Sequence, residues 1–326
     1  MGSMLVLGGT SWVGGEVARA AAAQGHEVTC LARGESGHAP PEVTFVQADR
    51  EEPDAYDAVA GRRWDLVVDV SRQPGQVRSA VAALGDLAAH WTLVSTGSVY
   101  ADQSVALSEG SLLLPPLEAD VADPEQYGEG KVACEASVRE LPAHLVVRAG
   151  LIGGPGDRSD RYGYYVSRFA VAGDGPVLVP DVPTQPMQVI DVRDLAEWIV
   201  RAAGSGATGV VHGVGEPTTV GELIDRSAAV AGHSGERVAA GPDWLHAHDV
   251  EEWMGPRSLP LWLPPDHHGM GMMDDTRALA LGLRRRPIDD SLRDTLEDER
   301  ERGLRRDRRA GLAREDELAL LGELRP

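Results

Sequence analysis

The opening of this chain constrains its fold more than any other stretch. Met4 to Leu7 is a short apolar run that leads directly into Gly8-Gly9-Thr10-Ser11-Trp12-Val13-Gly14-Gly15. Glu16 to Gln24 is rich in alanine and predicts a helix. Gly25 stops it, and Glu27 to Leu31 reads as the next strand. Strand, glycine turn, helix and strand in that order make the first unit of a dinucleotide-binding fold. The glycines let backbone approach a pyrophosphate, whose charge rests on the helix N-terminus. Gly8, Gly9, Thr10, Ser11, Trp12, Val13 and Gly14 are therefore the candidate phosphate-side contacts, with Ser11 replacing the usual middle glycine.

The end of the second strand bears on the choice of cofactor. An acidic residue there holds the ribose 2′-OH of NAD, but this chain has Leu31-Ala32-Arg33-Gly34. Ala32 removes the repulsion and Arg33 can pair with a 2′-phosphate, so NADP(H) is favoured over NAD(H). The plainer alternative is an ordinary surface arginine. Val43 to Gln47 reads as a third strand ending in Ala48-Asp49-Arg50, with Asp49 suited to an adenine amine and Arg50 grouped with it as a cofactor contact. Asp65–Val70 and Trp91–Ser95 read as strands, Gln76–Ala89 as a helix between them, and Leu145–Arg148 as a later strand. Strands alternating with helices imply an α/β, doubly wound parallel sheet whose carboxyl strand ends carry ligand sites. Thr96 sits at one such end, with Ser98 two residues on.

Tyr127-Gly-Glu-Gly-Lys131 adds a chemical element. Lys131 is the single lysine of a chain whose Lys and Arg total 31. Such a position can use a compact, rotatable ammonium that arginine cannot supply. Four residues apart on a helix, the Tyr127 hydroxyl and the Lys131 ammonium share a face. An ammonium beside a phenol favours the phenolate, which makes Tyr127 a usable acid/base.

The glycine turn, the strand-end hydroxyl and Tyr127-x-x-x-Lys131 stand in the order that resembles the extended or atypical short-chain dehydrogenase/reductases, the NAD-dependent epimerase/dehydratase superfamily. Gln188-Val-Ile-Asp-Val-Arg-Asp-Leu-Ala196 resembles that family's late strand-to-helix signature, and the resemblance covers roughly residues 1–285. It implies a Rossmann sheet with a smaller C-terminal substrate lobe. It also implies Thr96 as the catalytic hydroxyl, with Ser98 as a substitute, Tyr127 as the acid/base and Lys131 as the ribose-binding lysine. The activity implied is hydride transfer to or from a small carbonyl or secondary alcohol, with a cofactor-retaining epimerase as the alternative. Two departures narrow this. Gly97-Ser98 replaces the Asp-Glu that dehydratases carry after the threonine, which argues against elimination of water. Leu151 stands where sugar-nucleotide enzymes usually have asparagine, which argues against a nucleotide-sugar substrate. The Gly-Gly-Thr opening is closer to atypical members, among them reductases and RNA-binding proteins, so a non-catalytic nucleotide-binding or RNA-associated protein is the third reading.

The dinucleotide domain is expected over 1–152 and about 184–214, and the lobe over about 153–183 and 215–288. Residues 289–326, charged with both signs interspersed, read as solvated helix. Arg161, Tyr165 and Arg168 fall on one helical face and, with Ser98, are the candidate contacts for an acidic or aromatic substrate; the alternative is ordinary packing of the lobe. Residues 241–271 carry Trp244, Trp253 and Trp262 among histidines, a candidate wall over the site or a subunit contact. They lack helical metal-ligand spacing, so no metal is expected. The formal net charge of −20 argues against nucleic acid and anionic membranes. Cys30 and Cys134 form no framework, and with no apolar run of about 18 residues the expectation is a cytoplasmic protein, with a homodimer compatible.

Overall fold

The computed structural model describes residues 2–324. The strands β1 (Ser3–Leu7), β2 (Glu27–Ala32), β3 (Thr44–Gln47), β4 (Leu66–Asp69), β5 (Trp91–Thr96) and β6 (His144–Ala149) belong to the central sheet. The short strand β7 (Leu151–Gly153) then leaves it. Next come β8 (Val177–Pro180), β9 (Pro186–Asp191), β10 (Gly209–Gly213), β11 (Pro217–Thr219), β12 (Arg237–Ala240), β13 (Glu251–Glu252) and β14 (Ser258–Leu259). The helices are α1 (Trp12–Ala23), α2 (Pro74–Leu84), α3 (Tyr127–Arg139), α4 (Gly163–Ala172), α5 (Val192–Gly204), α6 (Val220–Ala231), α7 (Pro242–Ala247), α8 (Thr276–Ala280), α9 (Ile288–Arg302) and α10 (Arg314–Leu324).

The central sheet runs β10-β6-β5-β4-β1-β2-β3, every neighbouring pair parallel. Strand order reverses between β1 and β4, so the carboxyl ends of these strands open a crevice there. Its faces bury separate apolar layers, as near-continuous hydrophobic strands require. Val6, Val28 and Val68 pack with Val17 of α1 and Trp198 of α5, while Leu5, Leu7 and Val67 pack with Val77 of α2 and Val138 of α3. The connection from β3 to β4 is a series of turns rather than a helix.

The remaining strands form smaller sheets, β11-β9-β7 and β12-β8, around a third core built from α4, α6 and the residues beyond 245. Two expectations are corrected here. Strand β9 does not return to the central sheet; only α5 and β10 do, because β9 pairs with β7 and β11. The C-terminal segment is not a solvated helix. Leu292 and Leu296 of α9 and Leu320 and Leu321 of α10 are buried in the lobe's core, and Glu317 accepts from the Leu178 amide at 3.0 Å. In α9 the sequence hides this because Arg293 and Glu297 directly follow the two buried leucines. Among the described residues, no helix is long and apolar enough to cross a membrane.

Candidate functional site

A cleft of about 970 Å³ opens between the carboxyl ends of the central strands and the lobe. On the sheet side it is lined by Trp12, Val13, Ser95, Thr96, Ser98 and Tyr127.

The glycine turn leads to the cleft, which its next residues Trp12 and Val13 line. Gly8 has φ +90°, and a Cβ on Gly14 would lie 2.3 Å from the Gly8 carbonyl oxygen, so both positions demand glycine. Ser11 has a local use that a middle glycine lacks. It is the N-cap of α1, its Oγ donating to Gly8 O at 2.8 Å and accepting from Gly14 N at 3.2 Å. Trp12 and Val13, the first helical residues, line the cleft, so the positive end of α1 abuts it. Trp12 also donates through Nε1 to the Pro155 carbonyl at 2.8 Å, tying the turn to the lobe's first loop. A second tie joins Arg158 Nη1 to Ser36 O at 2.9 Å.

At the end of β5 the Thr96 hydroxyl donates to Ser98 Oγ and accepts from Ser98 N, both at 3.2 Å. Tyr127, half-buried, is the first residue of α3. A Cβ on Gly128 would meet Ser98 O at 2.4 Å, so the glycine after Tyr127 is what lets the helix start against this turn. The structure thus brings Thr96, Ser98 and Tyr127 onto one wall. Lys131 is not on it. Its side chain is buried, and Nζ donates to the carbonyls of Ser71 and Val94, each at 2.7 Å. Those carbonyls precede Arg72 and Ser95, which do line the cleft, so the ammonium sits directly behind its wall.

Three candidates lie elsewhere. Arg50 does not face the cofactor region; it is buried and paired with Asp69 through both carboxylate oxygens, at 3.0 and 2.8 Å. Burial alone would raise the Asp69 carboxyl, but the Arg50 guanidinium and the Ser71 donors hold it below the usual carboxylate range. Tyr165 is fully buried in the lobe's core. Arg168 is spent on Glu317 at 3.3 Å, on the Leu312 carbonyl and on the Tyr164 ring. Helical spacing alone could not separate the face of α4 turned to its own core from one turned to a ligand.

Arg161, ahead of α4, does line the cleft. Its guanidinium lies over the Trp253 ring at 4.3 Å and donates to Ser159 Oγ at 3.1 Å, with no carboxylate among the described residues in ion-pair contact. Burial lowers its pKa, while Asp157 and Tyr127 pull the other way. Trp253 has φ +60°, an outlier for a bulky residue, with its amide on Trp262 O at 3.0 Å. The Trp/His-rich segment is the opposite wall, contributing Trp253, Met254, Leu263, His267 and Met270. Two buried glutamines hold it. Gln185 donates to Leu261 O at 2.8 Å and accepts from Leu263 N at 3.0 Å, and Gln188 does the same to Met273 O and N at 3.0 and 2.8 Å. Trp262 and Trp244 do not reach the cleft; Trp262 packs in the lobe's core and Trp244 stacks on His248 at 3.8 Å. Among the described residues, no group of three or more His, Cys, Asp or Glu is placed to hold a metal.

At the second strand's end Ala32 is buried, while half-exposed Arg33 stands 3.4 Å from Glu35 and 3.9 Å from Asp49. The buried network behind β5 was not anticipated. Glu135 accepts from Ser95 Oγ at 2.6 Å and from Arg148 Nε and Nη2 at 3.0 and 2.7 Å. Arg148 continues to Tyr100, whose hydroxyl meets His212. A signal existed: Arg148 interrupts the apolar run of β6, and Glu135 lies one turn beyond Lys131.

Residues 4–94 match the NAD dependent epimerase/dehydratase family. A 2′-dehydrokanamycin reductase from Streptomyces kanamyceticus is 34% identical over 157 residues, 46% of this chain and 42% of its own. A chloroplast stem-loop binding protein of 41 kDa from Arabidopsis thaliana is 25% identical over 219 residues, 62% of this chain and 55% of its own. The chain therefore spans about half the length of the curated relatives it matches. A UDP-glucuronic acid 4-epimerase from Bacillus cereus, solved with NAD, shares the fold with TM-score 0.66 and 16% identity, over 91% of this chain and 96% of that one.

Proposed function

We propose that the chain is an NAD(P)(H)-dependent oxidoreductase of a small carbonyl or secondary alcohol. The observation that carries this reading is the wall shared by Thr96, Ser98 and Tyr127, continuous with the start of α1 at Trp12 and Val13. A dinucleotide fits this chain's own features: the glycine cradle for its pyrophosphate, the helix N-terminus for its charge, and the strand-end wall for its reactive ring. When bound, it supplies or accepts the hydride. Tyr127 gives the proton to the carbonyl oxygen, and Thr96 donates a hydrogen bond to that oxygen as charge develops. Lys131 uses the proton not engaged by Ser71 and Val94 to hold the ribose. Arg161, with no carboxylate partner among the described residues and backed by Trp253, holds an acidic or aromatic part of the substrate.

NADP(H) is preferred in this reading through Arg33, which must leave Glu35 and Asp49 to meet a 2′-phosphate. The two ties Trp12–Pro155 and Arg158–Ser36 favour a second reading, an epimerase that retains its cofactor, because they join the lobe to the cofactor side. The stem-loop binding of the Arabidopsis relative is not carried over: a net charge of −20 supplies no basic footprint.

The test follows nicotinamide absorbance across carbonyl substrates with and without a carboxylate. Tyr127→Phe is expected to lower turnover by about 10²–10⁴-fold with cofactor affinity unchanged. Retention of full turnover would refute the acid/base role. Tightly held cofactor with no net consumption would select the epimerase.

A further inference from the structure

The buried pair Arg50–Asp69 has no place in the chemistry above, yet it lies two residues from one of the two carbonyls that hold Lys131. Val94 belongs to β5, so its carbonyl is fixed by the sheet. Ser71 lies beyond the end of β4, in the loop leading to α2, where no ladder fixes it. Asp69 fixes it instead. Its Oδ1 accepts from the Ser71 amide at 2.9 Å, and Arg50 donates to the Ser71 hydroxyl. Arg50 is in turn held by Tyr56 Oη at 3.0 Å and by the Gln76 carbonyl at 2.5 Å. Asp69 and Lys131 are essentially inaccessible, and Arg50 and Ser71 are buried. A buried ion pair is a poor source of net stability compared with an apolar pair of similar shape. What this pair does supply is a defined position for one carbonyl oxygen.

We propose that Arg50 and Asp69 are positioning residues: through Ser71 they set the direction of the Lys131 ammonium, and so aim its remaining proton at a dinucleotide ribose. The last step rests on the cofactor role given to Lys131 above; the anchoring itself rests on the contacts alone.

The chain's single lysine makes the test direct. Protein grown with 15Nζ-labelled lysine gives one side-chain ammonium signal, read in the full chain before and after addition of NADH or NADPH. The wild-type signal is expected to exchange slowly with water and to shift on cofactor addition. Asp69→Asn, and the milder Ser71→Ala, which removes only the hydroxyl contact with Arg50, are expected to speed that exchange at least about tenfold and to weaken cofactor binding by a similar factor. If the ammonium signal of folded Ser71→Ala and Asp69→Asn matches the wild type, the positioning role is overturned. If cofactor leaves the wild-type signal unmoved, the role of Lys131 in the proposed function falls and takes the aiming step with it. Should Asp69→Asn fail to fold, Ser71→Ala decides the matter alone.

Discussion

Replacing Glu135 with glutamine should reveal how helix α3 is fastened behind the cleft. Glu135 and Arg148 are each about 1% exposed, and the carboxylate accepts from Ser95 and from two guanidinium nitrogens. Glutamine keeps the shape but removes the charge, and turns one acceptor into a donor facing Arg148. Breaking a buried pair by neutralising one partner costs about 3–5 kcal/mol, because the other charge is left uncompensated. For 326 residues the unfolding entropy is roughly 0.7 kcal/mol/K, so the thermal midpoint should fall by about 4–7 °C. Differential scanning calorimetry at pH 7 measures it. The double variant Glu135→Leu with Arg148→Met should recover part of the loss but not all, since Arg148 also serves Tyr100 at 2.9 Å and the Glu109 carbonyl at 3.0 Å. A midpoint for Glu135→Gln within about 1 °C of the parent, a loss of no more than roughly 0.7 kcal/mol on this entropy scale, would refute the claim that this pair holds α3 to β5 and β6.

Three further outcomes are expected. Glu35→Ala frees Arg33 from its nearer carboxylate and should raise affinity for NADPH over NADH by no more than about fivefold, the range of an exposed pair; titration with each cofactor measures it, and an unchanged ratio would remove Arg33 from cofactor selection. Gly14→Ala puts a Cβ 2.3 Å from the Gly8 carbonyl and should abolish cofactor binding while leaving the lobe's core intact, as calorimetric titration and near-UV dichroism would report. His90 and His212 are buried, and burial lowers both their pKa values. Below pH 6.5 the unfolded chain then takes up protons that the folded chain refuses, so stability should decline as pH falls, by at most about 1.4 kcal/mol per pH unit for each histidine, checked by urea unfolding at pH 7.5 and 5.5.

The parts of the fold that were legible in the sequence are those set by local rules. Gly8 and Gly14 mark a turn that few other residues can make, and the strand-turn-helix-strand order around them is written within some thirty residues. Tyr127 was reached through its spacing from Lys131, and of that pair the tyrosine lines the cleft while the lysine lies buried behind it. Arg50 was not, because an arginine after a strand looks the same whether it meets a ligand or a buried Asp69 contributed by β4. Tyr165 and Arg168 were misread for a related cause: helix periodicity tells which residues share a face but not what covers it, and here the cover is Glu317 and Leu312, some 145 residues later. Trp253 had a visible setting but no visible role, since its place over Arg161 depends on a turn held by Gln185 and the residues after Leu261.

The contact between Glu317 and the amide of Leu178 has a consequence for biosynthesis. Translation adds about 5–20 residues per second, and domains tend to acquire structure as they emerge. The strands from Ser3 to Ala149 can associate while the chain is still growing, but β8 lacks the buried Glu317 acceptor for its Leu178 amide until α10 has appeared. The lobe must therefore wait, half assembled, for α10. A ribosome that stops before Leu312 would release a finished sheet joined to an unfinished partner, with Tyr165 and Phe169 left for chaperones or proteases to find.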